Sequence, residues 1–347
     1  MNTMLRVTAT LLGYLALLAE PAKAQTAADQ PLEFNYGLPN ANHNTVFVAQ
    51  DLHLFEKVGL KPNFFYFQSG APILAGLKSE SLDVATTGIA FVFALGQNIP
   101  LKFLFWEANS APAEALIVDP KSGIKSYRDI GKASKIAAAS GTCAQVALYL
   151  MAQKAGVDYA KLNVVNVPAP LFRNSFLSGS IDAGIAWPPF SLQLQSEGYP
   201  AASYDEEYTP TGGMCPGLTA VRPAFLKAHP EIGLKLVQAE ALARKAIEDN
   251  PQVGIDAYVK RLGLTPEVAK AMVERECCGR IPSFAAQLDP NSPYSMTSKE
   301  GGLVGKLRLG SDVFLTVHAI AQGVPLAVIQ DAVDPSYLKA YVDSTAK

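Results

Sequence analysis

An internal repeat constrains the fold of this chain more than any other feature of its sequence. Residues 32–100 resemble residues 135–200, and the matching positions keep one order with offsets of 97 to 100 residues. The recurring landmarks are Thr45 with Thr142, Lys57 with Lys154, Gly59 with Gly156, Ala71 with Ala169, and residues 79–85 with residues 178–184. Five landmarks in one order favour two copies of one supersecondary unit over coincidence.

Each copy has the pattern strand, helix, strand, helix, strand. Gly59 and Gly156 end the first helix of each copy. Pro72 and Pro170 open the second helix, since proline suits the first helical turn. We predict strands at 32–36, 63–67, 83–86, 135–139, 163–167 and 183–187, with first helices at 46–58 and 144–155. Alternating β and α elements at this spacing predict parallel sheets with right-handed crossovers.

The repeat therefore predicts an α/β fold with two lobes and a ligand cleft between them. Helices without a counterpart in the repeat are expected to return to the first lobe and are predicted at 231–249, 251–262, 265–276 and 303–322. The connecting segments 114–119 and 217–221 are expected to form a two-stranded hinge. We assign residues 25–117 and 219–347 to lobe I and residues 118–218 to lobe II.

The first 24 residues have the form of a signal peptide. A short start carrying Arg6 precedes an apolar run, and Ala22, Lys23 and Ala24 form the small-x-small pattern that a signal peptidase cleaves. The apolar run is shorter than the ~20 residues of a membrane helix. No cysteine lies at the cleavage site, so we expect a periplasmic protein without a lipid anchor.

Composition disfavours several other functions. The chain of 347 residues is 49% hydrophobic, which suffices for two cored domains, and its net charge of −2 argues against nucleic acid as a partner. The cysteines are Cys143, Cys215, Cys277 and Cys278, and none has CxxC spacing, so we predict neither a disulfide-built scaffold nor a zinc site. We expect a monomer with no metal and no cofactor.

Ligands of open α/β sheets lie beyond the carboxyl ends of the strands, where loops lead into helices. The loops at these places are rich in glycine and small hydroxyl residues, which expose backbone N–H groups at helix N-termini that favour negative charge. We predict that a small organic anion contacts Asn42, His43, Asn44, Ser69, Gly70, Thr86 and Thr87 in the first copy and Ser140, Thr142 and Trp187 in the second. The alternative for each is an ordinary helix-capping role.

Two further residues are candidates for the ligand site. Arg173 lies in the first turn of its predicted helix and is either a counter-ion for the ligand or a solvated surface residue. Trp106 is a second candidate wall of the site beside Trp187, although a buried tryptophan is more often part of a core.

Three stretches of the chain resemble the taurine-, aliphatic sulfonate- and nitrate-binding proteins of ABC importers. They are residues 67–77 (FQSGAPILAGL), residues 99–103 (IPLKF) leading to 114–118 (EALIV), and residues 180–187 (SIDAGIAW). This resemblance implies a type II periplasmic binding-protein fold and delivery of the ligand to an inner-membrane ABC permease with a cytoplasmic ATPase. It also implies that the loops at Ser69, Thr86, Ser140 and Trp187 contact the anionic head of the ligand.

One position departs from the pattern of this family. Taurine binders are expected to carry an aspartate just before the return hinge strand, where it pairs with the ammonium of the ligand. This chain has Gly217 at that place. An aminated ligand is therefore disfavoured, while an alkyl or aryl sulfonate, a sulfate ester and a carboxylate stay open. Glu107 is a candidate substitute acid or a solvent-facing residue.

The main alternative is an enzyme on the same fold, resembling the sulfinate desulfinases or the pyrimidine-forming thiamin-biosynthesis proteins. Cys143, at a predicted helix N-terminus, is the candidate nucleophile and His43 the candidate base. The first loop holds no cysteine and the chain is expected to be exported, so we predict a binding protein without catalytic residues. The sequence also leaves open an adhesin or a sensor partner on this fold.

Overall fold

The computed structural model describes residues 30–276 and 281–345, so the predicted signal peptide and the pair Cys277 and Cys278 lie outside the described residues. The strands are β1 (Leu32–Pro39), β2 (Leu60–Phe67), β3 (Val84–Thr87), β4 (Lys102–Asn109), β5 (Ala115–Val118), β6 (Ile136–Ala137), β7 (Val164–Val165), β8 (Ala183–Ala186), β9 (Ala201–Tyr204) and β10 (Pro216–Val221). The first helices are α1 (Asn44–Asp51), α2 (Leu54–Lys57), α3 (Gly70–Lys78), α4 (Phe91–Gly96), α5 (Cys143–Ala155), α6 (Phe172–Leu177) and α7 (Phe190–Ser196). The remaining helices are α8 (Pro223–Ala228), α9 (Glu231–Asp249), α10 (Pro251–Leu262), α11 (Pro266–Glu276), α12 (Phe284–Leu288), α13 (Leu303–Thr316), α14 (Leu326–Ala332) and α15 (Ser336–Thr345).

The strands form two five-stranded sheets with the same internal plan. The first has the order β2-β1-β3-β10-β4 and the second the order β7-β6-β8-β5-β9. In each sheet the first three strands are parallel, while the fourth runs antiparallel to both of its neighbours. The two copies of the sequence repeat thus fold alike, and the predicted α/β class with parallel strands is confirmed.

The antiparallel strands show how the chain passes between the sheets. β5 follows the elements of the first sheet in sequence but lies in the second, whereas β10 follows the second sheet but lies in the first. The two strands predicted as a hinge therefore pair with separate sheets and not with each other. The chain enters the second sheet with β5 at Ala115 and returns to the first sheet with β10 at Pro216. Both points lie a few residues from the predicted limits of the lobes, and the limits themselves stay predictions.

Two predicted helices are shorter in the structure. The helix expected at 46–58 is divided into α1 and α2 because His53 has a φ of 53°, which interrupts the helical hydrogen bonds. The helix expected at 303–322 ends with α13 at Thr316, just before His318 with a φ of 57°. Pro170 opens a short 3-10 turn at Ala169–Leu171 that leads directly into α6.

Apolar side chains pack on both faces of each sheet. Adjacent strand residues face opposite sides, so Val84 belongs to one apolar cluster of the first sheet and Ala85 to the other. Helices α9 and α13 contribute Leu236 and Leu307 to these clusters, as expected for C-terminal helices that return to the first sheet. Within the described residues, none of the helices combines the length and apolar character that crossing a bilayer requires.

Candidate functional site

A cavity of about 60 Å³ lies where the carboxyl ends of β1, β3, β4 and β8 meet. Residues from both sheets and from the returning segment before β10 surround it. Its lining consists of Pro39, Ala41, Asn42, His43, Ser69, Gly70, Thr87, Gly88, Ile89, Ala90, Ser110, Thr142, Cys143, Trp187, Cys215, Pro216 and Gly217. Ligands of open α/β sheets bind at this edge, so the cavity is the candidate ligand site of the fold.

Three helices begin at the cavity and direct their N-termini toward it. α1 begins after His43, α3 after Ser69 and α5 after Thr142, and all three preceding residues line the cavity. Among the described residues, neither the Ser69 nor the Thr142 side chain makes a capping hydrogen bond at its helix. The positive ends of the helix dipoles and their unpaired N–H groups together favour an anion in the cavity.

A buried histidine and a buried glutamate form a hydrogen-bonded pair at the site. His43 Nδ1 lies 2.8 Å from Glu107 Oε2, and Thr45 Oγ1 donates a hydrogen bond of 2.9 Å to Glu107 Oε1. Glu107 is fully buried, so it does not face solvent. His43 Nε2 is also buried and has no hydrogen-bond partner within the described part of the chain. When both ring nitrogens carry a proton, the imidazole bonded to Glu107 through Nδ1 offers Nε2–H to a ligand as a charged donor.

His43 also bears on the charge that the cavity can present to a ligand. Of the described residues that line the cavity, only His43 has a side chain that can carry a positive charge. Asn42 Nδ2 donates to Ser110 Oγ over 2.9 Å, which holds these two polar side chains together on the same wall. The cavity therefore offers neutral donors, helix N-termini and one histidine, a set that suits a small anion of low charge.

Glycine is required at one point of the wall. A side chain at Gly70 would collide with Thr87 Oγ1 and would lie 3.0 Å from the Ala90 methyl group. The backbone at the start of α3 therefore approaches β3 closely, which keeps the first N–H groups of that helix accessible from the cavity.

A disulfide joins Cys143 to Cys215 across 72 residues of sequence, and both cysteines line the cavity. Cys143 opens α5, which packs on the second sheet, whereas Cys215 precedes β10 of the first sheet. The reading of Cys143 as a nucleophile is wrong for this structure, because its sulfur is bonded and cannot form the thiolate that attack requires. The carboxylate of Glu114 lies within 4.8 Å of both sulfurs, but disulfide sulfurs are not thiolate ligands for a metal.

Seven of the twelve residues predicted to contact a ligand line this cavity. They are Asn42, His43, Ser69, Gly70, Thr87, Thr142 and Trp187. The sequence did not indicate Ser110, the pair Ile89 and Ala90, or the segment from Cys215 to Pro216. The last segment belongs to the returning chain, which lies outside the repeat, and Ser110 is a single residue after β4 without a pattern of its own.

The structure places the other five predicted residues elsewhere. The Asn44 side chain donates to the Gly254 carbonyl, and Thr86 is buried in hydrogen bonds with Tyr36 and Thr219. Trp106 is fully buried in the core, Ser140 lines a separate groove, and the exposed Arg173 pairs with Glu197 over 2.6 Å. None of these five residues belongs to the cavity lining.

Buried carboxyl groups lie near the crossing between the sheets and in the first lobe. Burial raises the pKa of Asp205 to about 6 and that of Glu240 to about 7. Burial also raises the pKa of Glu114 well above its ordinary value, with the nearby Asp205 adding to the effect. Both Glu114 oxygens lack a hydrogen-bond partner among the described residues. These carboxyl groups favour the protonated form in the folded state.

We expect the free energy of unfolding to fall between pH 5 and pH 7. The folded-state pKa values of Asp205 and Glu240 lie above their unfolded values, so the folded state binds these protons more tightly. The resulting contribution to the free energy of unfolding is complete below the unfolded pKa. It is lost as the pH rises through about 6 and about 7. Urea unfolding at both pH values should show a loss of roughly 3 kcal/mol, and Asp205→Asn should reduce this loss. Equal stability at the two pH values would contradict the assignment.

The two-lobed geometry with a cavity at the strand ends defines the class of periplasmic binding-protein folds. The family model described as NMT1/THI5 like matches residues 40–253, so the chain belongs to the NMT1/THI5-like family. It is 31% identical over 180 residues to a candidate aliphatic sulfonates-binding protein of Bacillus subtilis (strain 168), with 51% of this chain and 53% of that relative covered. The chain thus matches about half the length of that curated relative.

Solved structures show the same fold. The alkanesulfonate-binding protein SsuA from Xanthomonas axonopodis pv. citri, bound to MOPS, superposes with a TM-score of 0.73 at 18% identity over 88% of this chain and 99% of its own. The periplasmic nitrate-binding protein NrtA from Synechocystis PCC 6803 gives a TM-score of 0.73 at 11% identity, covering 90% and 89%. The desulfurization enzyme DSZB also has this fold, with a TM-score of 0.62 at 14% identity over 90% of this chain and 99% of its own. The resemblance to sulfonate- and nitrate-binding proteins is thereby confirmed.

Proposed function

We propose that this chain is the solute-binding component of an ABC importer and that it captures a small organic anion, a sulfonate or sulfate ester, in the cavity between its sheets. The observation that carries the proposal is the buried His43 Nε2, which has no hydrogen-bond partner among the described residues. Glu107 holds the ring through Nδ1, and the N-termini of α1, α3 and α5 lie at the same cavity. A periplasmic location and delivery to an inner-membrane permease with an ATPase belong to the same proposal, and the periplasmic nitrate-binding protein that shares this fold supports the location.

The arrangement favours binding over covalent catalysis. The sulfur of Cys143 is committed to the disulfide, and the histidine in the cavity faces Glu107 and not a hydroxyl or thiol nucleophile. An anion held by helix N-termini and one charged donor needs no further chemistry to bind. Several weak contacts of ~0.3–2 kcal/mol each must converge, which the enclosure of the ligand by both sheets provides.

The cavity also favours a ligand without an ammonium group. A side chain at Gly217 would lie 2.8 Å from the Ala108 methyl group and 3.1 Å from Glu107 Oε2, so this position has no room for an aspartate. Glu107 does not substitute for it, because both of its oxygens are engaged by His43 and Thr45. None of the described residues that line the cavity carries a carboxylate, so the ammonium of taurine would be buried there without an acidic lining partner, which is costly.

Ligand-dependent thermal stabilisation tests the proposed function. We expect ethanesulfonate, small alkyl sulfate esters and related anions to raise the melting temperature, since a ligand at ~100 times its dissociation constant adds about 2.7 kcal/mol to the stability of the folded state. Taurine is the matched comparison for ethanesulfonate because the two differ only by an amino group, and taurine should bind more weakly. Absence of a shift with every small anion would reject the function, and a preference for taurine would reject the argument from Gly217.

A further inference from the structure

A second, larger space lies between the sheets next to the ligand cavity. This groove has a volume of about 560 Å³ and is lined by Leu74, Ala75, Lys78, Phe93, Gln97, Ser140, Gly141, Gln145, Val317, His318 and Ala319. The same three chain segments line both spaces. In α3, Gly70 lines the cavity and Leu74 lines the groove. In the loop before α5, Thr142 lines the cavity and Gly141 lines the groove. In the segment that leads into α4, Ala90 lines the cavity and Phe93 lines the groove. The groove therefore adjoins the cavity along these three segments.

The ring of Phe93 lines the groove and lies against the loop that contributes Gly141 to the groove and Thr142 to the cavity. A methyl group built on Gly141 would lie 3.2 Å from two ring carbons of Phe93, so the ring rests against the backbone of the opposite loop. Phe314 packs against the same ring with centroids 4.7 Å apart, which supports it from the first lobe. Phe93 remains partly exposed to the groove.

The loop that Phe93 contacts is held in place by hydrogen bonds. The Gly141 N–H donates to Gln145 Oε1 over 2.8 Å, and the Ser140 N–H donates to Asn166 Oδ1 over 2.9 Å. Gly141 has a φ of +74°, a conformation that other residues rarely adopt. The loop thus presents a flat, glycine-lined backbone surface to the Phe93 ring.

We propose that Phe93 is the gate that limits the ligand to an anionic head with a short alkyl tail, and that the groove beyond it is an extension subsite closed in the wild-type chain. This inference rests on the proposed binding function. The cavity of about 60 Å³ accommodates about four to six water-sized groups, which corresponds to a sulfonate head with one or two carbons. A longer tail must displace the Phe93 ring from Gly141 to reach the groove, whose wall includes Leu74 and Val317.

Calorimetric titration with the alkanesulfonates from methane- to octanesulfonate tests this gate in the wild type and in Phe93→Ala. We expect wild-type affinity to be highest for the short chains and to fall beyond them. In Phe93→Ala the affinity should increase by about twofold to fourfold for each added methylene, because the tail enters the groove and leaves water. Phe93→Leu retains an apolar contact with Phe314 and should give an intermediate dependence, even if the alanine variant folds poorly.

Phe65→Ala is the matched control, since Phe65 is 45% exposed on β2 and lines neither space. It should reproduce the wild-type dependence on chain length. The same chain-length profile in wild type and both Phe93 variants would overturn the gate while leaving the binding function intact. No binding of any alkanesulfonate to any variant would overturn the proposed function, and the gate with it.

Discussion

Replacing Cys143 and Cys215 together by serine is expected to lower the free energy of unfolding by about 4 kcal/mol. The bond closes a loop of 72 residues, and removing a link of that length returns a large conformational entropy to the unfolded chain. The two cysteines also connect α5, on the second sheet, to the segment entering β10 of the first sheet. The loss should therefore affect the relation between the sheets as well as the global stability.

Denaturant unfolding of the oxidised wild type and of the double serine variant measures this effect. Peptide mapping under non-reducing conditions should first recover the linked peptides of Cys143 and Cys215. Wild type treated with a dithiol should then approach the stability of the serine variant, which separates the loss of the bond from any effect of the serine side chains. A difference below 1 kcal/mol between oxidised and reduced wild type would contradict the expected contribution of this loop.

Most of the fold was predictable from the repeat, because the strands, the helices and the helix ends follow from local sequence patterns. Strand and helix periodicity, together with Gly59, Gly156 and the prolines, placed the parallel strands of both sheets within a few residues. The sequence predicted that the chain crosses between the lobes at 114–119 and 217–221, but it did not predict that β5 and β10 join separate sheets, because a short apolar strand carries no mark of the sheet that receives it. His53 likewise gave no sign that its left-handed backbone would divide the first helix.

The candidate site was predictable only where it coincides with the carboxyl ends of the repeated strands. This rule located Ser69, Thr87, Thr142 and Trp187 at the cavity. It failed for Thr86 because adjacent residues of a strand face opposite sides, and the Thr86 hydroxyl bonds to Tyr36 and Thr219 instead.

The remaining features of the site depend on contacts between residues that are distant in sequence. The Cys143 to Cys215 bond and the pairing of His43 with Glu107 across 64 residues have no local signature. Gly217 was recognised as an unusual residue, but only the structure shows that Ala108 and Glu107 fill the space that its side chain would need. Such residues come into contact only when the sheets bring distant strands together, so a local sequence pattern does not predict their pairing.

His43→Gln is expected to weaken binding of a short alkanesulfonate about 10- to 100-fold, because a hydrogen bond to a charged group contributes about 1.5–3 kcal/mol. His43 is the lining residue that can supply this charge, and its Nε2 has no competing partner among the residues that the structure describes. Glu107→Gln should also weaken binding, since it removes the carboxylate that holds the imidazolium and leaves the shape of the site nearly unchanged. Both affinities are measured by calorimetric titration at one pH.

The double variant separates a direct role of Glu107 from one exerted through His43. If Glu107 acts only by orienting and charging the imidazole, His43→Gln combined with Glu107→Gln should bind no more weakly than His43→Gln alone. Additive losses would mean that Glu107 influences the ligand independently. Arg173→Gln is the control for removal of a positive charge, because this side chain is exposed and paired with Glu197. If Arg173→Gln lost affinity for the anion, or if His43→Gln kept the wild-type affinity, the anion would be held by a cation other than His43.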